Sequence, residues 1–122
     1  MVDILDDLIL TDGSGNQIPV YIEGDAPATL PNEYFVVSED YTSDLVSADN
    51  QPQSILYEFS LKYYTTDPTI LRSRMVEALA LLKSKNYIVT GVGYDNGTYQ
   101  DRQNKWFSKQ ADVEKIDYIT EE

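Results

Sequence analysis

Residues 54–94, SILYEFSLKYYTTDPTILRSRMVEALALLKSKNYIVTGVGY, spell a strand, a helix and a second strand in succession. Ile55, Tyr57, Phe59, Leu61 and Tyr63 alternate with Glu58, Ser60 and Lys62. A period of two with one apolar side is the pattern of a strand with one buried face. Asp67 then suits a helix N-cap and Pro68 the first helical position. Leu71, Met75, Ala78, Leu79 and Leu82 recur at three- and four-residue steps, which predicts a main helix over about 67–85. Lys83 and Lys85 sit where the helix dipole favours cations, and Asn86 suits the left-handed residue that ends a helix. Residues 87–92, YIVTGV, follow as a β-branched and aromatic strand.

Outward from this unit, short strands are expected at 18–22, 33–39 and 113–119, the second with a Phe35-Val36-Val37 run suited to burial on both faces. Residues 1–10 space Val2, Leu5, Leu8 and Ile9 as a short N-terminal helix would, although 8–10 equally suits the start of a strand. Asp12-Gly13-Ser14-Gly15-Asn16 marks a turn. Glu23 follows Asp12 at calcium-loop spacing, but Gln17 stands where such a loop needs glycine, so a plain turn is expected. Asn96-Gly97 carries a hairpin signal. Residues 40–52, DYTSDLVSADNQP, read as a long polar loop. The fold class is therefore α+β in a single domain spanning 1–122, a mostly antiparallel sheet packed on one face by the main helix. Residues 54–64 and 87–92 would be parallel neighbours if the helix is a crossover between them.

Composition narrows the chemistry. The chain has 122 residues, no cysteine and no histidine. Disulfides and thiolate metal sites are ruled out, as are the commonest general base and the commonest zinc ligand. No carboxylate pair, phosphate loop or nucleophile set stands at convincing spacing, so neither an enzyme nor a cofactor is expected. No apolar run reaches the roughly 18 residues of a membrane span and no leader pattern opens the chain, which together suggest a soluble protein made in a cytoplasm.

The net charge of −12 is unevenly placed. Residues 1–61 contain twelve acids and no Lys or Arg, whereas 62–122 contain nine acids and all nine bases. Such a surface disfavours nucleic-acid binding and suits solubility, a basic partner, or the repulsion of DNA. Candidate interface residues follow. Asp40, Asp44 and Asp49 make the 40–52 segment acidic, and Leu45 and Val46 either tuck onto the core or order against a partner subunit. Arg102, Lys105 and Lys109 flank the sole tryptophan, Trp106, which is either an interface anchor or a packing residue.

The element order resembles the small tail-completion or tail-terminator proteins of long-tailed bacteriophages and their head–tail joining relatives. The resemblance covers roughly residues 18–120. It is carried by Leu30-Pro31-Asn32-Glu33-Tyr34-Phe35-Val36-Val37, the polar segment to Pro52, the alternating strand 54–64, the helix from Asp67, the strand from Tyr87 and the closing strand to Ile119. It is one of element order and texture, without an exact motif; residues 1–16 are short and acidic where family members often begin with a longer helix. The family is defined by assembly, so no catalytic residues carry over. The resemblance implies a structural virion protein of the tail or neck, assembled in the bacterial host cytoplasm as a homo-oligomeric ring, typically a hexamer. Its partners would be the tail tube protein and the neck or head-completion protein, with DNA passing through the lumen and no membrane involved. The alternatives are another small virion part, such as a head-closure or tube protein, or an acidic adaptor or inhibitor that binds a basic partner.

Overall fold

The computed structural model describes residues 3–46, 52–100 and 105–118. Its elements in chain order are α1 (Ile4–Asp7), β1 (Val20–Ile22), β2 (Glu33–Val46), β3 (Pro52–Thr65), α2 (Leu71–Ser84), β4 (Ile88–Gln100) and β5 (Lys105–Tyr118). The strands form one sheet in the order β1-β2-β3-β5-β4. Only the β1–β2 pair is parallel. The architecture is α+β, a mostly antiparallel sheet with α2 packed against one face.

Strand pairing explains which residues are buried. Across β2, β3 and β5 the rows Phe35–Tyr63–Lys109, Val37–Leu61–Ala111 and Glu39–Phe59–Val113 lie side by side on one face. Phe35, Val37, Phe59, Leu61, Tyr63, Ala111 and Val113 join Met75, Ala78, Leu79 and Leu82 of α2 in a single buried cluster, completed by Ile4 and Leu8 from the N-terminal segment, Ile18 and Tyr87. The alternation in β3 and the helical stripe in α2 thus meet as the two halves of one core. Asn86, at φ 71°, ends the helix in the left-handed conformation.

Several boundaries and one pairing differ from the sequence-based expectation: the strand expected at 113–119 begins already at Lys105, and the one expected at 87–92 runs on to Gln100. The helix begins at Leu71, not Asp67, and Ile70 occupies its N-cap without a side-chain bond. The Asp67 carboxylate is instead consumed locally, accepting from the Thr69 amide at 3.0 Å and the Thr69 hydroxyl at 2.7 Å. The expected loop at 40–52 is largely strand, because β2 runs to Val46 and β3 starts at Pro52, with Tyr41–Leu45 paired row by row to Ser54–Glu58. Its polar sequence hides the ladder, whose backbone bonds need no apolar side chains. The Asn96-Gly97 signal does not close a hairpin: it falls inside β4, at a bulge between Asp95 and Thr98. Finally, β3 and β4 are not neighbours, since β5 is inserted between them and is antiparallel to both.

Candidate functional site

Both helices lie on the face of the sheet that carries the core, so the opposite face is free of helix among the described residues. That open face divides into two regions. At one end, Tyr34 stacks on Tyr64 with centroids 5.0 Å apart, meets Trp106 edge-on at 5.5 Å and Tyr21 edge-on at 5.9 Å. Trp106 is only 1% exposed and Tyr34 4%, so this end is packed inside the subunit.

Further along, the open face becomes polar and acidic. The register places Ser38, Ser60 and Asp112 in adjacent positions on β2, β3 and β5, with Glu58 and Glu114 forming a neighbouring pair. Asp40 completes the group from the bulge in β2 that lies between Glu39 and Tyr41. Its carboxylate accepts from the Ser38 hydroxyl at 2.9 Å and from the Ser60 hydroxyl. The Ser60 oxygen also stands 3.2 Å from Asp112 Oδ1. A hydroxyl carries one proton, so it serves one of the two carboxylates at a time. Asp40, Glu58, Ser60, Thr90, Gln110 and Asp112 line a shallow depression of about 440 Å³.

Chemically this is a negative surface. The Ser60 hydroxyl meets the carboxylates of Asp40 and Asp112, and the chain holds no histidine. Among the described residues no group of three or more acidic side chains is placed to hold a metal ion. Asp12 serves a turn: its Oδ1 accepts from the Ser14 amide at 2.8 Å and the Asn16 amide at 3.0 Å.

Charge is partitioned by face as well as by sequence. Lys109 and Lys115 share the helix side with Tyr63 and Tyr57, and Arg72, Arg74, Lys83 and Lys85 belong to α2 and its C-cap. Arg74 is held by Glu33 at 2.9 Å and Glu77 at 3.1 Å. Burial works against its charge, but these carboxylates keep the guanidinium pKa above its ordinary value. On the open side, Lys62 pairs loosely with Glu23 at 3.8 Å.

No protein-family model and no curated protein matches this chain.

The interface residues singled out in the sequence are scattered. Asp40 belongs to the acidic depression. Asp44, Leu45 and Val46 continue β2 beyond it, with Leu45 paired to Ser54 and Val46 to Pro52. Lys105, Trp106 and Lys109 lie on β5, where Lys109 and Trp106 point to opposite faces. Asp49 and Arg102 lie outside the described residues. Sequence reasoning missed Asp112 and Glu114; the period-two reading of β3 did separate Glu58, Ser60 and Lys62 from the core side, and extending it to 105–118 would have found them. No described helix is long and apolar enough to cross a membrane.

Proposed function

We propose that this protein is a structural subunit of a long-tailed bacteriophage virion, a tail-terminator or head–tail joining protein that closes into a ring at the head-proximal end of the tail tube. The observation that supports this best is the open sheet face, on which Asp40, Glu58, Asp112 and Glu114 gather while the helices and most bases occupy the other side. A ring that turned this face inward would present carboxylates to DNA in transit. Phosphates would be repelled and the strand would pass without sticking. The helix side, with its exposed Arg72, Lys83 and Lys85, would face outward or toward the next copy. Head-to-tail contacts between copies close into rings when the rotation permits.

Native mass spectrometry of the full chain, alone and with tail tubes, tests the assembly: a species of fixed copy number is expected. Asp40→Lys, Glu58→Lys and Asp112→Lys together should leave the copy number unchanged but make the ring retain DNA in a salt-sensitive way. A chain that stays monomeric in both conditions and does not bind tube ends would refute the reading. The same acidic face favours one other role, a monomeric adaptor for a basic partner, which that result would support.

A further inference from the structure

The outer edge of β2 is covered over only part of its length. β1 pairs with it from Phe35 to Val37, the Phe35 amide donating to Pro19 and the Val37 carbonyl accepting from the Glu23 amide. Immediately after Ile22 the chain turns away: Asp25 donates back to the Ile22 carbonyl, and Gly24 takes φ +95°. From Ser38 to Val46 the edge of β2 has no strand beside it among the described residues. The strip contains neither Pro nor Lys, and Tyr41–Leu45 is regular; the bulge at Asp40 and the carboxylates of Glu39, Asp40 and Asp44 blunt it against like-charged strands while leaving it open to a basic one.

The two sides of that edge differ in chemistry. On the helix side, Leu5, Ile22, Val37 and Phe59 line a groove of about 330 Å³ with Asp3 and Glu39 at its rim. Ile22 is 49% exposed there. On the open side stand Asp40 and Glu58. A strand laid along the edge sends alternate side chains to the two faces. We infer that the free edge of β2 receives an extended segment of another protein in which basic and apolar residues alternate, the apolar ones entering the groove and the basic ones meeting the carboxylates. A second copy of this chain is a poor occupant. Pairing β2 with itself would bring Glu39, Asp40 and Asp44 against their own kind. The other free edge, β4, contains no Lys or Arg and is broken by three register shifts.

The probe is an acetylated, amidated Lys-Val-Lys-Val-Lys-Val-Lys peptide, set against Lys-Pro-Lys-Pro-Lys-Pro-Lys, which has equal charge but cannot complete a ladder. Amide exchange and titration of the full-length protein are the readouts. The Lys-Val peptide should protect residues 38–46 and bind at least about tenfold more tightly than the Lys-Pro peptide, with affinity falling as salt rises. Outward groups alternate along β2, and the bulge between Glu39 and Tyr41 shifts that alternation by one, which turns the Thr42 amide outward. Thr42→Pro should therefore abolish binding with an unchanged circular dichroism spectrum. Should that variant not fold, Asp40→Lys keeps the backbone and should weaken binding about tenfold. Equal binding of both peptides, protection confined to other segments, or protection of 38–46 at raised protein concentration without peptide would each overturn the inference. The ring reading is untouched by any of these, because the peptide test needs only one subunit.

Discussion

The Tyr87 hydroxyl donates to the Asp7 carboxylate across 2.7 Å, joining residues eighty positions apart. Lys115 Nζ stands 3.8 Å from the same carboxylate and 4.8 Å over the Tyr87 ring. A helix as short as α1 does not hold itself together in water, so these contacts and the burial of Ile4 and Leu8 keep it on the sheet. Burial, and then the bond to Asp7, push the Tyr87 hydroxyl well above the ordinary phenol range.

Tyr87→Phe keeps the ring packing and removes the bond to a charged acceptor. The expected loss is about 1.5–3 kcal/mol in chemical denaturation. Amide exchange should quicken at Leu8, whose N–H closes the helix onto Ile4. Unchanged stability and exchange would mean that Ile4 and Leu8 alone fix the segment.

Tyr63 gives the opposite expectation at neutral pH. Its hydroxyl is buried near Thr65 and Arg74 and has no hydrogen-bond partner of ordinary geometry among the described residues. Replacing an unsatisfied buried polar group by carbon is neutral or stabilising, so Tyr63→Phe should not reduce stability at pH 7. In alkali the difference reverses in form. Burial pushes the Tyr63 pKa up to about 12, whereas the unfolded phenol titrates near 10.0. Between these values the unfolded chain has released its proton and the folded chain retains it. Stability therefore falls as pH rises from about 10 to 12, by roughly 2–3 kcal/mol from this group. Tyr63→Phe should show a correspondingly flatter decline in denaturation midpoints over that window, and an identical decline would exclude Tyr63 as the source.

The helical stripe separates into tiers. Leu82 is fully buried and Leu79 nearly so, Leu71 is half-buried, and Val76 is 59% exposed. Leu82→Ala or Leu79→Ala is expected to cost about 2–5 kcal/mol. Leu71→Ala should cost less, and Val76→Ala should stay within about 0.5 kcal/mol. Thermal or urea denaturation of the four variants gives the order directly; a large loss at Val76 would show that α2 packs with a different face.

The parts of this fold that were legible in the sequence are those where burial writes a period. The alternation of Tyr57, Phe59, Leu61 and Tyr63 and the stripe from Met75 to Leu82 both arise because one side of each element meets the core. Residues 40–46 escaped because their ladder stands on backbone bonds, with polar side chains that leave no period behind. Asn96-Gly97 misled because a bulge and a hairpin turn ask for the same residue types. The insertion of β5 between β3 and β4 is a long-range choice that no local pattern records. The acidic site shows the same division: Glu58 and Ser60 declare their face within β3, whereas their convergence with Asp40 and Asp112 depends on strand order.

That convergence leaves a constraint on the neighbouring edge strand. A Cβ built on Gly91 would lie 2.8 Å from Asp112 Oδ2 and 3.3 Å from Asp112 Cβ. Gly91→Ala must therefore displace the Asp112 side chain, whose other carboxylate oxygen stands 3.2 Å from the Ser60 hydroxyl. The expected cost is about 1–3 kcal/mol by overpacking. If the clash is with the carboxylate, Asp112→Ala should relieve part of it, and a double-mutant cycle should return a coupling of at least about 0.5 kcal/mol. Relief will be incomplete, since the Asp112 Cβ remains close. An equal cost for Gly91→Ala in both backgrounds would place the strain in the β4 backbone at the adjacent bulge and remove Asp112 as the reason for the glycine.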